Sequence, residues 1–551
     1  MIHIPVKTIH FNKPQLKVMA INANETYVVA GRAMGKSQGI LAPHDYRCLQ
    51  LMPRGCGMLI GSNFRKMMSD LIPPYVAGLQ RLGLVRGEEG CKKEPDFVIG
   101  ESDIPRRFGW PTPYIAPEKG MRKFFLHTRW GSGIRFASQD RKVTMNGTEV
   151  DWIKGDEAKL LDYDRFKKEI LPTNRGRAGL WGNIPEHHSI LFTTDKLFDR
   201  KGGDWIMQQR NRMDPEQIKQ ILQMQAYIYT IEEKYNGVEL PNEVALQLNE
   251  YKRMLTESQL YAVAFIEADT LDNIHAIGWR QIMQFKNSMT EGEFNSSILN
   301  MDKQKIEGSF YPNLDYNTHG YSSADYSRID STNYNFDKIK DFNCLDDPDC
   351  NINQDLEISI DWGGHINCMI IFQETVNEFR VLNALYTKPP ATYKDLAIKF
   401  SNYYRFHKTK TVYMWYDPSG NNARADSAQT YAEEFAATLR LAGWNVIPRN
   451  TIATNPYHHD KHLLWQYILT EKDTRLPKFR MNINNCEDVF TSMLNAPLNS
   501  GPKGFEKDKS SERKASGILP EHATHFSDTV DIPIWGKYKS ILKGNMLSMV
   551  S

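Results

Sequence analysis

The sequence predicts a chain of two α/β domains. Three observations carry the prediction: two separate alternations of short apolar runs with helical stretches, a polar segment dividing them, and a composition typical of globular proteins. Of the 551 residues, 41% are hydrophobic, 11% aromatic and 24% charged, which excludes a disordered, collagen-like or coiled-coil chain. At about 150 residues per domain the length allows three or four domains, or two large ones with insertions. Lys and Arg number 68 against 66 Asp and Glu, a formal charge of +2. That balance argues against a uniformly basic nucleic-acid coat but permits one basic channel offset by acidic surface elsewhere. The seven cysteines are scattered, with no CxxC pair, so a reducing compartment is expected rather than a disulfide framework or zinc ribbon. The amino terminus does not read as a signal peptide, and no apolar run approaches the roughly 18 residues of a membrane span, so no membrane association is expected.

The first alternation places candidate strands at 26–30, 57–61, 123–127, 134–138, 150–155 and 189–193, separated by helical stretches. This is the pattern of a parallel sheet wrapped by helices. From 204 to about 305 the strand signal fades, and 216–236 and 242–256 carry the polar–apolar period of helices. Residues 320–355 turn to Ser, Asp, Asn and Tyr with few aliphatics and read as an interdomain linker. The second alternation has candidate strands at 356–361, 367–373, 378–385, 411–416 and 445–448, with helices at 393–407, 423–442 and 460–470. The expected organisation is a core at 1–203, a helical subdomain and lead-out at 204–319, the linker at 320–355, and a second domain at 356–551.

The first constellation is a phosphate cradle. Ala30-Gly-Arg-Ala-Met-Gly-Lys-Ser37 follows a short buried-type strand and precedes a helix, the context of a P-loop. Such a loop turns backbone N–H groups at Gly31 and Gly35 and a helix N-terminus toward phosphates. Lys36 can reach the β and γ oxygens, and the Ser37 hydroxyl can ligate Mg²⁺. Ala30 stands where the pattern has its first glycine. Val150-Asp-Trp-Ile-Lys-Gly-Asp-Glu157 supplies the other half, a strand ending in two carboxylates. Asp156 can hold the Mg²⁺ shell, and Glu157 can orient or deprotonate the attacking water. The first domain is therefore read as a P-loop ATPase using ATP and Mg²⁺.

The second constellation is a set of acids. Asp361 ends the first strand of the second domain and Asp417 the fourth, with room between them for two further strands and a helix. That is the order of a ribonuclease H-like fold, whose first and fourth strands lie side by side. Two carboxylates brought together there repel unless cations neutralise them. A pair of Mg²⁺ or Mn²⁺ ions is expected, activating water and stabilising the leaving oxygen of a phosphodiester. A third acid is expected near the end of the domain, where Asp528 and Asp531 stand three apart on one helix face. Pro533 is expected to kink or stop that helix. The His458-His459 pair and His365 lack carboxylate or cysteine partners at ligand spacing and read as surface residues rather than zinc ligands.

In motif order the chain resembles the large terminase subunit of tailed double-stranded DNA phages, the motor that pumps DNA into capsids. The matching residues are Phe11-Asn-Lys-Pro-Gln15, the arginine-bearing loop Gly31–Ser37, Gly155-Asp-Glu-Ala158, Ile190-Leu-Phe-Thr-Thr194 and the carboxylates of the second domain. The resemblance implies that Gln15 reads the adenine, that Arg32 stabilises transition-state charge, and that Thr193 and Thr194 couple γ-phosphate loss to movement. It favours Asp528 as the third nuclease ligand, with Asp531 as substitute. It further implies ATP-driven translocation of double-stranded DNA and cutting of concatemers. The implied partners are a portal at a procapsid vertex, a small terminase subunit and further copies in a ring. The implied place is the cytoplasm of an infected bacterium, with transient docking on the procapsid.

Two other readings compete. A helicase-type ATPase with an attached nuclease, serving repair or defence, predicts further helicase motifs after Thr194, which the sequence lacks. A non-catalytic docking protein at a capsid vertex predicts no ATP turnover. Lys503, Lys507, Lys509, Arg513 and Lys514 form a basic stretch readable either as a mobile DNA-gripping loop or as a solvated loop. Arg175 and Arg177 suit contacts with nucleotide or DNA equally.

Overall fold

The computed structural model describes residues 9–87, 94–100, 107–141, 148–196, 205–288, 294–301, 308–332, 334–339, 341–423, 429–449, 457–501, 504–512 and 518–550. The chain forms two units, one of 1–289, 294–302 and 329–340, the other of 290–293, 303–328 and 341–551. Six cysteines, Cys48, Cys56, Cys344, Cys350, Cys368 and Cys486, are buried and unpaired, and no described helix is long and apolar enough to cross a membrane.

The first unit is built on eight strands: β1 Glu25–Ala30, β2 Cys56–Gly61, β3 Phe97–Ile99, β4 Phe125–Thr128, β5 Gly133–Ser138, β6 Trp152–Gly155, β7 Ile190–Thr194 and β8 Val263–Ala268. Their order is β3-β4-β5-β2-β6-β7-β1-β8. From β5 to β8 every pairing is parallel, and β3 and β4 add an antiparallel edge. The central strands are buried along their whole length, as parallel strands covered on both faces must be, and this is why their sequences are mostly apolar, with Arg135 of β5 the charged exception.

Two differences from expectation follow. The 204–319 region is not a separate helical subdomain. The helices Pro215–Lys234 and Asn242–Leu260 are present, the first started by Asp214 capping Glu216 and Gln217. The chain then returns as β8, pairing along all six residues of β1. The 320–355 stretch is also structured. Asn343 and Asp346 form a capping box, Arg328 holds Asp346 through two bonds of 2.8 and 2.5 Å, and Tyr321 donates to Asp349 at 2.6 Å. Polar composition here reflects side chains that satisfy backbone and one another, not a solvated tether.

In the second unit the main sheet contains β9 Gly320–Tyr321, β10 Leu356–Trp362, β11 Asn367–Glu374, β12 Glu378–Thr387, β13 Thr411–Tyr416, β14 Asn445–Pro448 and β15 Lys478–Asn482. Its order is β14-β13-β10-β11-β12-β15-β9. β10, β11 and β12 form an antiparallel meander, and β13 and β14 run parallel beside β10. The expected adjacency of first and fourth strands is thus present. One apolar core packs Leu396, Phe400, Phe435 and Leu439 on one face of the sheet. The other contains Trp465, Phe479, Phe490, Phe526 and Val530. A hairpin of β16 Leu498–Gly501 and β17 Gly504–Lys507 precedes the last helix, Thr524–Val550. That helix runs through Pro533 without ending. Burial of Phe526, Val530, Ile532 and Ile534 around the proline outweighs the one backbone hydrogen bond it forfeits.

Candidate functional sites

The loop after β1 turns where its sequence permits. Ala33 and Gly35 have φ of 60° and 83°, left-handed values that glycine adopts freely. A side chain at Gly31 would come within 2.5 Å of the Ile298 carbonyl. Helical structure starts at Ser37 and continues to Leu51, so the first-turn N–H groups face the loop's cavity. The lysine Nζ of Lys36 donates to Ala30 O at 3.0 Å, inside the ring of the loop.

Asp156 organises the opposite wall. It follows β6, which lies two strands from β1 with β7 between them. Its Oδ2 accepts from Ser37 Oγ at 2.5 Å, and its Oδ1 accepts from Thr193 Oγ1 at 2.6 Å and Glu157 N at 2.9 Å. A hydroxyl and a carboxylate in contact at a phosphate loop are the hard oxygen pair that a nucleotide-bound Mg²⁺ takes, so these residues fit that ion. Glu157 has a left-handed φ of 49°, which turns its side chain away from the β6 line. Among the described residues its Oε2 accepts no hydrogen bond, although Lys159 Nζ lies 3.6 Å away. Desolvation is the largest influence on this carboxyl and raises its pKa, with Lys159 opposing. A desolvated carboxylate with an unpartnered oxygen beside a phosphate cavity suits a general base.

The cavity has a volume of about 520 Å³ and is lined by residues 32–38, Asn63, Lys66, Asp156, Glu157 and Asn273. Thr270 Oγ1 donates to Arg32 O at 2.6 Å, Asn273 Nδ2 to Ala33 O at 2.8 Å, and Asn300 Nδ2 to Val29 O at 2.9 Å. The segment after β8 therefore braces the loop, a role its polar sequence did not signal.

Three expected residues take other positions. Gln15 is buried, and its amide Nε2 donates to Met34 O and Gly35 O at 3.3 Å while Oε1 accepts from Asn12 N at 3.0 Å. It braces the back of the loop and does not line the cavity, in place of the expected adenine contact. Thr193 faces Asp156, whereas Thr194 accepts from Lys159 N at 3.5 Å and donates to Asp195 O. Arg32 Nε lies 3.8 Å from Asp195. Asp195 was not anticipated. It is buried and also pairs with Lys159 at 2.5 Å. Burial alone would raise its pKa, but Lys159 and Lys36 hold it well below the usual carboxylate range. The signal was available as an acid directly after the two threonines that end a central strand.

In the second unit Ile360 and Tyr416 are register partners on β10 and β13, so Asp361 and Asp417 leave adjacent strands at the same level. Asp417 caps the turn after it, accepting from Ser419 N at 3.2 Å and Ser419 Oγ at 2.5 Å. Asp361 Oδ2 lies 2.8 Å from His525 Nδ1. Desolvation raises the Asp361 pKa, and Asp528 adds to it. Desolvation pulls the His525 imidazole down, but its contact with Asp361 outweighs this and holds it above the ordinary value.

The third acid is not open. Lys507, buried at 4% exposure, donates from Nζ to Asp528 Oδ1 at 2.7 Å, Asp531 Oδ2 at 2.7 Å, Tyr311 OH at 2.8 Å and Ser527 Oγ at 3.1 Å. Lys509 bonds the other oxygen of Asp528. The remaining oxygen of Asp531 accepts from Tyr311 OH and Trp465 Nε1, both at 2.7 Å. Desolvation would raise the Asp528 pKa, but Lys507, Lys509 and Lys461 keep it well below the usual range. Asp531 is thus a core anchor, a correction to its place as substitute ligand, and lysines supply the neutralising charge expected from metal at Asp528. Among the described residues no three His, Cys, Asp or Glu side chains are grouped as a metal site. The set Asp361, Asp417 and Asp528 does not fit the expected metal pair in this arrangement.

Lys507 and Lys509 are accordingly not a free DNA-gripping loop, while Lys503, Arg513 and Lys514 lie outside the described residues. His458 and His459 accept from Lys507 N at 3.1 Å and Phe505 N at 3.3 Å, anchoring the β16–β17 hairpin.

In structure the chain is similar to the large terminase of a thermophilic bacteriophage, with 11% identity and a TM-score of 0.36 over 96% of this chain and 99% of that one. The same protein in complex with ATP-gamma-S matches at 12% identity and a TM-score of 0.34, over 96% and 99%. The large terminase ATPase domain of Thermus phage P74-26 matches at 16% identity and a TM-score of 0.30, over 53% of this chain and 93% of that domain. Neither a protein-family model nor a curated protein sequence matches the chain.

Proposed function

We propose that this chain is a DNA-packaging motor of the large-terminase kind, with ATP hydrolysis in the first unit and DNA cutting in the second. The observation that carries the reading is Asp156, hydrogen-bonded at once by Ser37 of the phosphate loop and Thr193 of the strand between. One carboxylate thereby links the nucleotide end of β1 to β7, the connection a hydrolysis-driven movement needs. With nucleotide bound, Lys36 exchanges the Ala30 carbonyl for phosphate oxygens. Mg²⁺ at Ser37 and Asp156 would neutralise those oxygens. Glu157 takes the proton of the attacking water through its carboxylate, and Arg32, steadied by Asp195, offers its charge to the transition state.

For the second unit, the strand order and the two adjacent strand-end acids support phosphodiester cutting at Asp361 and Asp417. The partners that follow are double-stranded DNA, a portal at a procapsid vertex, a small DNA-recognising subunit and further copies in a ring, in the cytoplasm of an infected bacterium. The test separates the units. Lys36→Ala should abolish ATP turnover and leave plasmid cleavage measurable, and Asp361→Asn should do the reverse. Persistent ATP turnover in Lys36→Ala, or persistent cleavage in Asp361→Asn, would sink the corresponding half.

A further inference from the structure

The parallel strands of the first unit all start at the end of the sheet away from the phosphate loop, about 20 Å along a six-residue strand. There the loops before β2, β5, β6 and β7 are tied together. Arg54 N donates to Trp130 O at 3.2 Å, Tyr114 N to Arg54 O at 2.9 Å, Gly176 N to Val150 O at 3.0 Å, and His188 N to Asp151 O at 2.6 Å. On this end Arg54 stacks on the Tyr114 ring at 4.2 Å and Arg177 lies 5.0 Å from the same ring. Tyr114, 44% exposed, packs beside Trp181 at 5.9 Å. Arg135, 5% exposed, stands on β5 in register with Met58 and Phe125. Burial pushes the Cys56 thiol up to about 12, with the charges of Arg135 and Arg177 lowering it and that of Asp151 raising it, so no thiolate answers the two arginines.

Apart from the buried Asp151, the acidic groups near this cluster are paired elsewhere. Glu149 pairs with Arg175 and Glu186 with Arg47. The buried Asp151 accepts from Cys56 N at 2.8 Å and Arg177 N at 3.1 Å, with His187 at 3.8 Å. Among the described residues neither Arg54, Arg135 nor Arg177 has a carboxylate within ion-pair distance, and Arg135 Nε has no hydrogen-bond partner. An unpaired guanidinium nine-tenths buried is costly unless an anion completes it. Arginines held over the exposed Tyr114 ring suit an extended polymer that lies across the surface.

We propose that Arg54, Arg135 and Arg177, with Tyr114 and Trp181, form a contact surface for the phosphate backbone of double-stranded DNA at the end of the sheet opposite the nucleotide. The inference rests on the DNA-motor reading above and locates where this unit grips its substrate. Each phosphate contact contributes about one unit to the salt slope of binding, roughly tenfold in affinity at 0.1 M salt.

The experiment is anisotropy with a labelled 30-base-pair duplex in EDTA across a salt series, using the full chain. Arg54→Ala and Arg177→Ala should each bind about tenfold more weakly at 0.1 M salt, with the slope lower by about one, and hydrolyse ATP without DNA at the wild-type rate. Arg177→Lys should keep the slope. Arg135→Met should lose DNA affinity while its melting temperature holds or rises, because the unpaired charge is gone. Wild-type affinity and slope in the Arg54/Arg177 double variant overturn this surface alone. A wild-type chain that binds no duplex overturns both the surface and the motor reading. A lower melting temperature with unchanged DNA binding in Arg135→Met assigns that arginine to the core and removes it from the surface.

Discussion

Replacing Lys507 by methionine keeps the volume of the side chain and removes its ammonium from between two acids. In the native protein that ammonium meets four oxygens, two of them the carboxylate oxygens of Asp528 and Asp531 at 2.7 Å, and the side chain is fully buried. Removing one partner of a buried pair typically costs about 3–5 kcal/mol, because the other charge is left uncompensated. Two pairs break here, but Lys509 still bonds Asp528, and Trp465 and Tyr311 still donate to Asp531. The expected loss is therefore about 3–5 kcal/mol in all, not twice that. Hydrogen-exchange mass spectrometry of peptides spanning 518–535 reads the opening free energy of this unit. The sign with pH is fixed. In the wild type Asp528 is held well below its ordinary pKa, so its contribution is fully present above that ordinary value and is lost progressively as pH falls below it. In the variant the less compensated Asp528 carboxyl takes up its proton at higher pH, which relieves the buried charge, so the gap between the two proteins narrows as pH falls. A loss under about 1 kcal/mol at pH 7, or a gap that widens on acidification, would refute the buried lysine cluster.

Burial raises the Asp45 carboxyl to about 6, despite hydrogen bonds from Tyr75 OH at 2.9 Å and Trp152 Nε1 at 2.6 Å. The folded state holds a proton that the unfolded chain has released, so this group's contribution falls as pH rises from about 4 to 6 and is flat above. Asp45→Asn should remove that slope, on the order of 3 kcal/mol across the window, measured as the wild-type-minus-variant stability in urea. Gln15→Ala should raise the Kd of ATP and GTP by similar factors, since the side chain braces loop carbonyls; a selective loss of preference for ATP would instead mark an adenine reader. Asp195→Ala should lower kcat at least tenfold with little change in KM, because Arg32 and Lys159 lose their anchor, and a pure KM effect would contradict that placement.

The parts of the fold that the sequence foretold are those with local causes. The fully buried β2 and β7 read as short buried-type runs, β5 reads as one in spite of Arg135, and the boundaries expected for β10, β11 and β13 agree with the structure to within a residue. β8 was missed because its six residues sit between longer helical patterns, and β3 because it has only three. The phosphate loop and Asp156 were legible since spacing alone brings a strand end beside a strand–loop–helix turn. Lys507 was not. In sequence it belongs to a glycine- and lysine-rich stretch, and only the partners Tyr311, Asp528 and Asp531, gathered from two distant segments, turn a solvated lysine into a buried one. Gln15 and the segment around Thr270–Asn300 act on the loop through amide and hydroxyl groups that carry no periodicity. Pro533 misled in the other direction, since a local rule about helices yields where the flanking residues are buried in a core.

The central claim is that the first unit hydrolyses ATP at a centre closed by Asp156 and Glu157 and uses it to act on duplex DNA. Single-turnover ATP hydrolysis with Glu157→Gln, alongside nucleotide binding and with duplex DNA present or absent, tests it most directly. Wild-type hydrolysis should be accelerated by DNA, and the variant should bind ATP as tightly as wild type, hydrolyse it at least about a hundredfold more slowly, in keeping with loss of a general base, and be no less stable at neutral pH. Glu157→Gln protein that turns over ATP at the wild-type rate, or wild-type protein whose turnover DNA leaves unchanged, would contradict it.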